Sequence, residues 1–246
     1  MGILRLITDS FPDDPVLDTA VARGLLERVA AGALPETLRL GRPGRMVAFG
    51  KQDAVTAEYP AAARAAREAG FEAVLRLAGG RAAVFHEGTV SLAHAIPESD
   101  PRPGIHERFE RSAAVVTAAL RRLGVDARVG EVPGEYCPGG YSINAGGRTK
   151  LAGLGQRLIA GGVHVGGVIV VDGADLVRDA LVPVYAALRL DWDPATAGAI
   201  SDELPGTTAG DVIEALRDAY GAGKEEALDQ ETLALARRLA PDHTVD

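Results

Sequence analysis

Between Asp14 and Leu25, apolar residues recur at helical spacing: Val16, Leu17, Ala20, Val21 and Leu25. Asp14 stands where a cap belongs and Pro15 falls in the first turn, which predicts a helix starting there. The period then changes. TLRLG (37–41) and RMVAFG (45–50) read as a strand pair joined by the turn residues Arg42, Pro43 and Gly44. An Ala-rich run from Pro60 to Gly70 predicts a short helix. FEAVLRL (71–77), AAVF (82–85) and TVSLAHA (89–95) read as strands, the last with apolar and polar residues alternating. A long amphipathic helix should cover 104–123 and stop at Gly124. The stretch 126–171 is rich in Gly and β-branched residues and ends in the apolar strand VHVGGVIVV. Helical patterns return near 173–190, 209–220 and 225–239. Strands and helices mix without the regular alternation of a doubly wound fold. The expected class is α+β, a mainly antiparallel sheet flanked by helices.

No repeat, low-complexity stretch or linker divides the 246 residues, so a single domain over 1–246 is expected. No apolar run approaches the roughly 18 residues that span a bilayer, and the start MGILRLITDSFPDD lacks a signal-peptide pattern. A cytoplasmic protein without a membrane partner is expected. The net charge of −8, with no basic run, argues against a nucleic-acid partner. One cysteine, Cys137, excludes an internal disulfide and leaves either a small buried hydrophobe or a reactive thiol. Of 26 basic residues only Lys51, Lys150 and Lys224 are lysine. Ammonium is a compact charge whose pKa shifts on burial, whereas guanidinium is a planar fork, so each lysine is a candidate for a specific task.

Three segments carry candidate chemistry. Arg76-Leu77-Ala78-Gly79-Gly80-Arg81 lies between two predicted strands. Its paired glycines let backbone approach a ligand and free N–H groups for an oxyanion or phosphate; an ordinary turn is the plainer reading. The spacing fits neither a dinucleotide fingerprint nor a phosphate-binding P-loop. Tyr136-Cys137-Pro138-Gly139-Gly140-Tyr141 places the thiol on a loop, where it is either reactive or inert and partly buried. Lys150 lies between the turn Gly146-Gly147 and an apolar strand, with Gly153 and Gly155 giving backbone access beyond it. A lysine there either supports an oxyanion and a neighbouring thiolate or is simply solvated. His86, His94 and His164 follow no metal-site spacing, so no metal is expected; His86 gains weight by closing the glycine segment.

Together these segments resemble the biotin- and lipoate-protein ligase superfamily, over nearly the whole chain. The family's Arg-x-x-Gly-Gly-x-Ala-Val-x-His stretch is matched by Arg76 to His86, with one extra residue before Val84. Its Lys-x-x-Gly-x-x-Gln-Arg stretch is matched by Lys150 to Arg157. The resemblance implies that Arg76, Gly79, Gly80, Arg81, His86, Gly153 and Gln156 line an acyl site and that Lys150 holds the acyl carbonyl. Cys137 precedes Lys150 by 13 positions, the place of the nucleophile in cysteine-dependent octanoyltransferases. Val47-Ala48-Phe49-Gly50-Lys51-Gln52-Asp53 is also similar to the branch that moves octanoyl groups from the glycine-cleavage H protein. ATP-dependent ligases usually carry a third glycine where Arg81 stands, and many need an accessory C-terminal domain. Only about 25 residues follow the 209–220 helix, too few for one.

The resemblance thus implies transfer of an octanoyl or lipoyl group onto a lysine of a lipoyl carrier, through a Cys137 thioester that Lys150 supports. The implied partners are the glycine-cleavage H protein, E2 lipoyl domains and acyl carrier protein, with no cofactor. An ATP- and Mg-dependent ligase, with Arg81 touching a nucleotide phosphate, and a non-catalytic lipoyl-domain-binding homologue are the alternatives.

Overall fold

The computed structural model describes residues 4–245; both ends of the expected 1–246 domain lie outside the described residues. In chain order the elements are β1 (Arg5–Ile7), α1 (Pro15–Ala30), β2 (Thr37–Gly41), β3 (Met46–Phe49), α2 (Lys51–Ala54), α3 (Tyr59–Glu68), β4 (Glu72–Leu75) and β5 (Ala83–Phe85). There follow β6 (Thr89–Pro97), α4 (Ile105–Leu123), β7 (Ala127–Val129), β8 (Ile143–Ala145), β9 (Thr149–Ile159) and β10 (Gly162–Val170). The chain then forms α5 (Ala174–Ala187), α6 (Ile200–Glu203), α7 (Ala209–Tyr220) and α8 (Gln230–Leu239).

Local signals set several of these ends. The Asp14 carboxylate accepts from the Leu17 N–H, and Pro15 occupies the first turn of α1. Gly124 ends α4 at φ 107°, a left-handed conformation that costs glycine nothing. α8 begins only at Gln230, where Asp229 caps it, not at 225.

The strands form two sheets. The larger has the order β1-β2-β6-β10-β9-β8-β7 and the smaller β4-β3-β5. Pairing is antiparallel except between β1 and β2 and between β3 and β4. The expected pairing of 37–41 with 45–50 does not form: β2 joins the large sheet and β3 the small one. Local sequence read each strand correctly, but pairing is settled by apolar faces far apart in the chain. Leu38, Leu40, Val90, Leu92 and Ile169 bury one face of the large sheet against α4 and α7. On its other face, Val168 and Val170 meet the small sheet, α3 and α5. Ala95 packs under α1.

That second face is where space is left. One register row reads Arg39, Ala93, Gly166, Gly155 across β2, β6, β10 and β9. From Ala93 to Gly155 the row raises nothing larger than a methyl group. A Cβ on Gly155 would stand 3.0 Å from the Ala78 Cβ, so the glycine lets the loop after β4 settle on the sheet. Gly50, between β3 and α2, backs the same loop from behind; a Cβ there would lie 1.7 Å from the Gly80 carbonyl oxygen.

Gly50→Ala is therefore expected to lower stability by about 2 kcal/mol through overpacking, a fall in Tm of roughly 4–8 °C. Gly139→Ala, which meets open space, should change Tm by less than about 2 °C. Thermal unfolding followed by circular dichroism checks both.

Candidate active site

Cys137 lies on the loop between β7 and β8 at φ +43°, a left-handed conformation that non-glycine residues rarely adopt. Such strain is typically of order 1–3 kcal/mol and persists only where the surroundings hold it. Here both backbone groups of the residue are held. The Cys137 N–H donates to the Tyr185 hydroxyl at 2.8 Å, and that hydroxyl donates to the Ala82 carbonyl at 3.0 Å. The Cys137 carbonyl accepts from Lys150 Nζ at 2.8 Å.

Lys150 is buried, and all three of its N–H groups are committed. Besides Cys137 O they reach Glu135 Oε1 at 2.9 Å and Tyr136 O at 3.0 Å. The ammonium also sits 4.9 Å from the centre of the Tyr136 ring. An ammonium has three donors, so none remains for the expected contact with an acyl carbonyl or oxyanion. Glu135, which sequence reading missed, is equally committed: it accepts from Val132 N, Gly139 N and the Ser142 hydroxyl as well. One buried ion pair thus ties the cysteine loop to the start of β9.

The sulfur itself faces the glycine segment. Cys137 Sγ accepts from the Arg81 N–H at 3.2 Å and lies 3.5 Å from the Arg76 guanidinium. The same Arg76 nitrogen donates to Arg81 O at 2.7 Å, while its buried Nε–H has no partner among the described residues. Gly80, at φ +99°, makes this closeness possible: a Cβ there would stand 2.9 Å from the sulfur and 2.3 Å from the guanidinium. Burial pushes the Cys137 thiol up, but Arg76, then Lys150 and the Arg81 N–H, outweigh it and hold the thiol below its ordinary value. Because Lys150 is neutralised by Glu135, Arg76 is the nearer uncompensated cation.

A cavity of about 360 Å³ opens beside the sulfur. Arg76, Gly79, Gly80, Cys137, Lys150, Gly153 and Gln156 all line it, as do the stacked rings of Phe109 and Tyr141, 5.0 Å apart. Gln156 spends its amide on α4, donating to Ile105 O and accepting from Arg108 Nε. The Arg81 guanidinium turns away to the buried Asp53, at 3.1 Å, so only its backbone serves the sulfur. Of the backbone N–H groups in the glycine segment, that of Gly79 donates to Gln156 O and that of Arg81 to the sulfur. His86 is a correction. It is fully buried away from the cavity, under Gly88 and Gly173, where its Nδ1 accepts from the Gly88 N–H. Following directly after β5, its side chain is taken up by the turn at Gly88 and the start of α5 rather than by the cavity, and burial pushes its pKa down. Behind Arg76 and Val168, which both cavities share, lies a second, smaller cavity of about 80 Å³.

The family model for the lipoyl protein ligase A/B catalytic domain matches residues 14–221. The chain belongs to that family. An octanoyl-[GcvH]:protein N-octanoyltransferase of Geobacillus kaustophilus is 30% identical over 94% of this chain and 75% of its own length. A lipoyl-[GcvH]:protein N-lipoyltransferase of Listeria monocytogenes is 26% identical over 77% of this chain and 71% of its own. Among solved structures, lipoate-protein ligase A bound with ATP superposes with a TM-score of 0.76 at 18% identity, covering 98% of this chain and 95% of that one. The mixed-sheet fold is shared with such ligases.

Iodoacetamide labelling of Cys137 against pH tests the electrostatics. A lowered pKa keeps the thiolate populated at lower pH, so labelling should inflect below the value of an ordinary cysteine, about 8.5. Arg76→Gln should move the inflection upward, because it removes the nearest uncompensated positive charge. An inflection that stays put would assign the shift to Lys150 or the backbone.

Proposed function

We propose that the chain is an acyltransferase of protein lipoylation that moves an octanoyl or lipoyl group between carrier proteins through a thioester on Cys137. The observation that carries this reading is the sulfur's position: on a strained loop, at a cavity mouth, between a guanidinium and a backbone N–H. An inert structural cysteine needs none of these. The names of the two relatives support the same acyl groups, and both name the H protein.

In the first half-reaction the thiolate attacks the acyl carbonyl of a loaded carrier. A carbon–sulfur bond forms, and the bond to the donor lysine nitrogen breaks as that amine takes up a proton. In the second, the acceptor lysine's neutral amine attacks the thioester; its carbon–nitrogen bond forms, the thiolate leaves, and the amine gives up a proton. The protons balance across the two halves, and no nucleotide is consumed. The Arg81 N–H and Arg76, which hold the thiolate, are within reach of the oxyanion that develops on the attacked carbonyl. Lys150 holds the loop and adds charge rather than touching the substrate. Burying six methylenes behind Arg76, at about 0.8 kcal/mol each, supplies on the order of 5 kcal/mol for chain recognition. The proposed carriers are the glycine-cleavage H protein and other lipoyl domains.

Intact-mass measurement of the protein with octanoyl-loaded H protein, without ATP, should show one octanoyl group added to Cys137 and released by hydroxylamine. Cys137→Ser should lose transfer by at least about a thousandfold while keeping the fold. Full activity in that variant, or labelling of an apo lipoyl domain by free lipoate only with ATP, would overturn the thioester scheme.

A further inference from the structure

His94 follows Ala93 along β6 and so points away from the bare row, toward the face of the sheet that α4 and α7 cover. A third cavity, of about 270 Å³, lies there, and no residue around it lines either cavity described above. Two buried polar atoms of its lining residues have no hydrogen-bond partner among the described residues: His94 Nδ1 and the Tyr220 hydroxyl. His94 is 7% exposed, and its ring meets that of Tyr220 edge-on at 5.5 Å. Buried polar atoms are almost always matched, so two unmatched at one cavity point to a ligand that completes them.

The surrounding charges say what kind. His94 Nε2 lies 2.8 Å from Glu36 Oε1. A carboxylate only accepts, so Nε2 carries a proton, and Nδ1 of the neutral ring is left as an acceptor. Burial pushes Tyr220 up to about 12, so its hydroxyl stays protonated and can donate. Two arginines join them, Arg108 and Arg111, one turn apart on the same face of α4. Arg108 donates to Gln156 and to Pro101 O, while Arg111 reaches only the exposed Glu107 among the described residues. Leu4, Ile96 and Val115 add apolar wall. A simple anion there would face Glu36, and a simple cation would face two guanidinium groups; a zwitterion satisfies both signs. The volume is below the roughly 300 Å³ at which common ligand pockets begin, which limits the occupant to a small molecule.

We propose that this cavity is a binding site for a small aliphatic α-amino acid, its ammonium on Glu36 and His94 Nδ1 and its carboxylate on Arg111, Arg108 and the Tyr220 hydroxyl. The site is separate from the acyl chemistry at Cys137, yet the two share one side chain. Arg108 also holds Gln156, which lines the active-site cavity.

Calorimetric titration of the whole protein with L-valine and L-leucine should show one site. At about 10 mM the tighter of the two should raise Tm by at least about 2 °C. Isovalerate, which lacks the ammonium, and isobutylamine, which lacks the carboxylate, should each bind at least about tenfold more weakly than valine. Tyr220→Phe should weaken valine binding about tenfold without lowering the Tm of the free protein, because the hydroxyl it removes has no partner to lose. Arg111→Gln, at an exposed position, should weaken it similarly. Cys137→Ser should bind valine as the wild type does. No binding of either amino acid overturns the proposal, and so does isovalerate binding as tightly as valine, which would leave an anion site only. Valine binding that is unchanged in both Tyr220→Phe and Arg111→Gln, or lost in Cys137→Ser, places the ligand elsewhere and overturns it equally.

Discussion

The active site hangs on the contact between Lys150 and Glu135. Two opposite charges taken out of water are costly unless each is fully matched, and here each is. The ammonium spends its donors on the carboxylate and on two successive loop carbonyls, those of Tyr136 and Cys137. The carboxylate collects two backbone N–H groups and a hydroxyl from the same loop. Removing either partner would leave a buried charge and an unbraced loop together. The pair also explains how a strained cysteine is kept in place: its carbonyl is pinned by Lys150 and its N–H by Tyr185.

Holding the loop this way divides the electrostatic work. Arg76, free of any carboxylate partner, contributes most to holding the thiolate; Lys150, paired with Glu135, comes second, and the Arg81 N–H adds a backbone dipole. Arg76 and the Arg81 N–H are delivered by the segment between β4 and β5, which is braced by Gly50 behind and Gly155 beneath. The sulfur's charge and its position therefore come from different parts of the chain, joined only where the cavity opens.

Much of this was legible in the sequence. The cap at Asp14, the stop at Gly124 and the alternation in β6 are local signals and fall where the residues put them. Cys137, Lys150, Arg76 and the paired glycines meet at one cavity, as motif order implied. What could not be read depended on distant contacts. Nothing in TLRLG or RMVAFG says that adjacent strands enter different sheets. Glu135 stands two residues before the cysteine, but only the fold shows that it meets Lys150. His86 closes the glycine motif yet points away from the cavity, while His164, which the spacing left as an ordinary structural histidine, faces a cavity. Tyr185 lies 48 positions from the cysteine whose N–H it accepts.

The bare row from Ala93 to Gly155 has a consequence for how such a protein changes over time. The atoms that perform the chemistry sit on loops, whereas the room for the chain is set by which side chains one line of the sheet omits. Strand register fixes which residues stand on that line. An exchange of Gly166 for alanine or valine would crowd the space from a position that touches neither the sulfur nor its donors. Reactivity and fit to the acyl tail are inherited separately, so a lineage can retune one while leaving the other untouched.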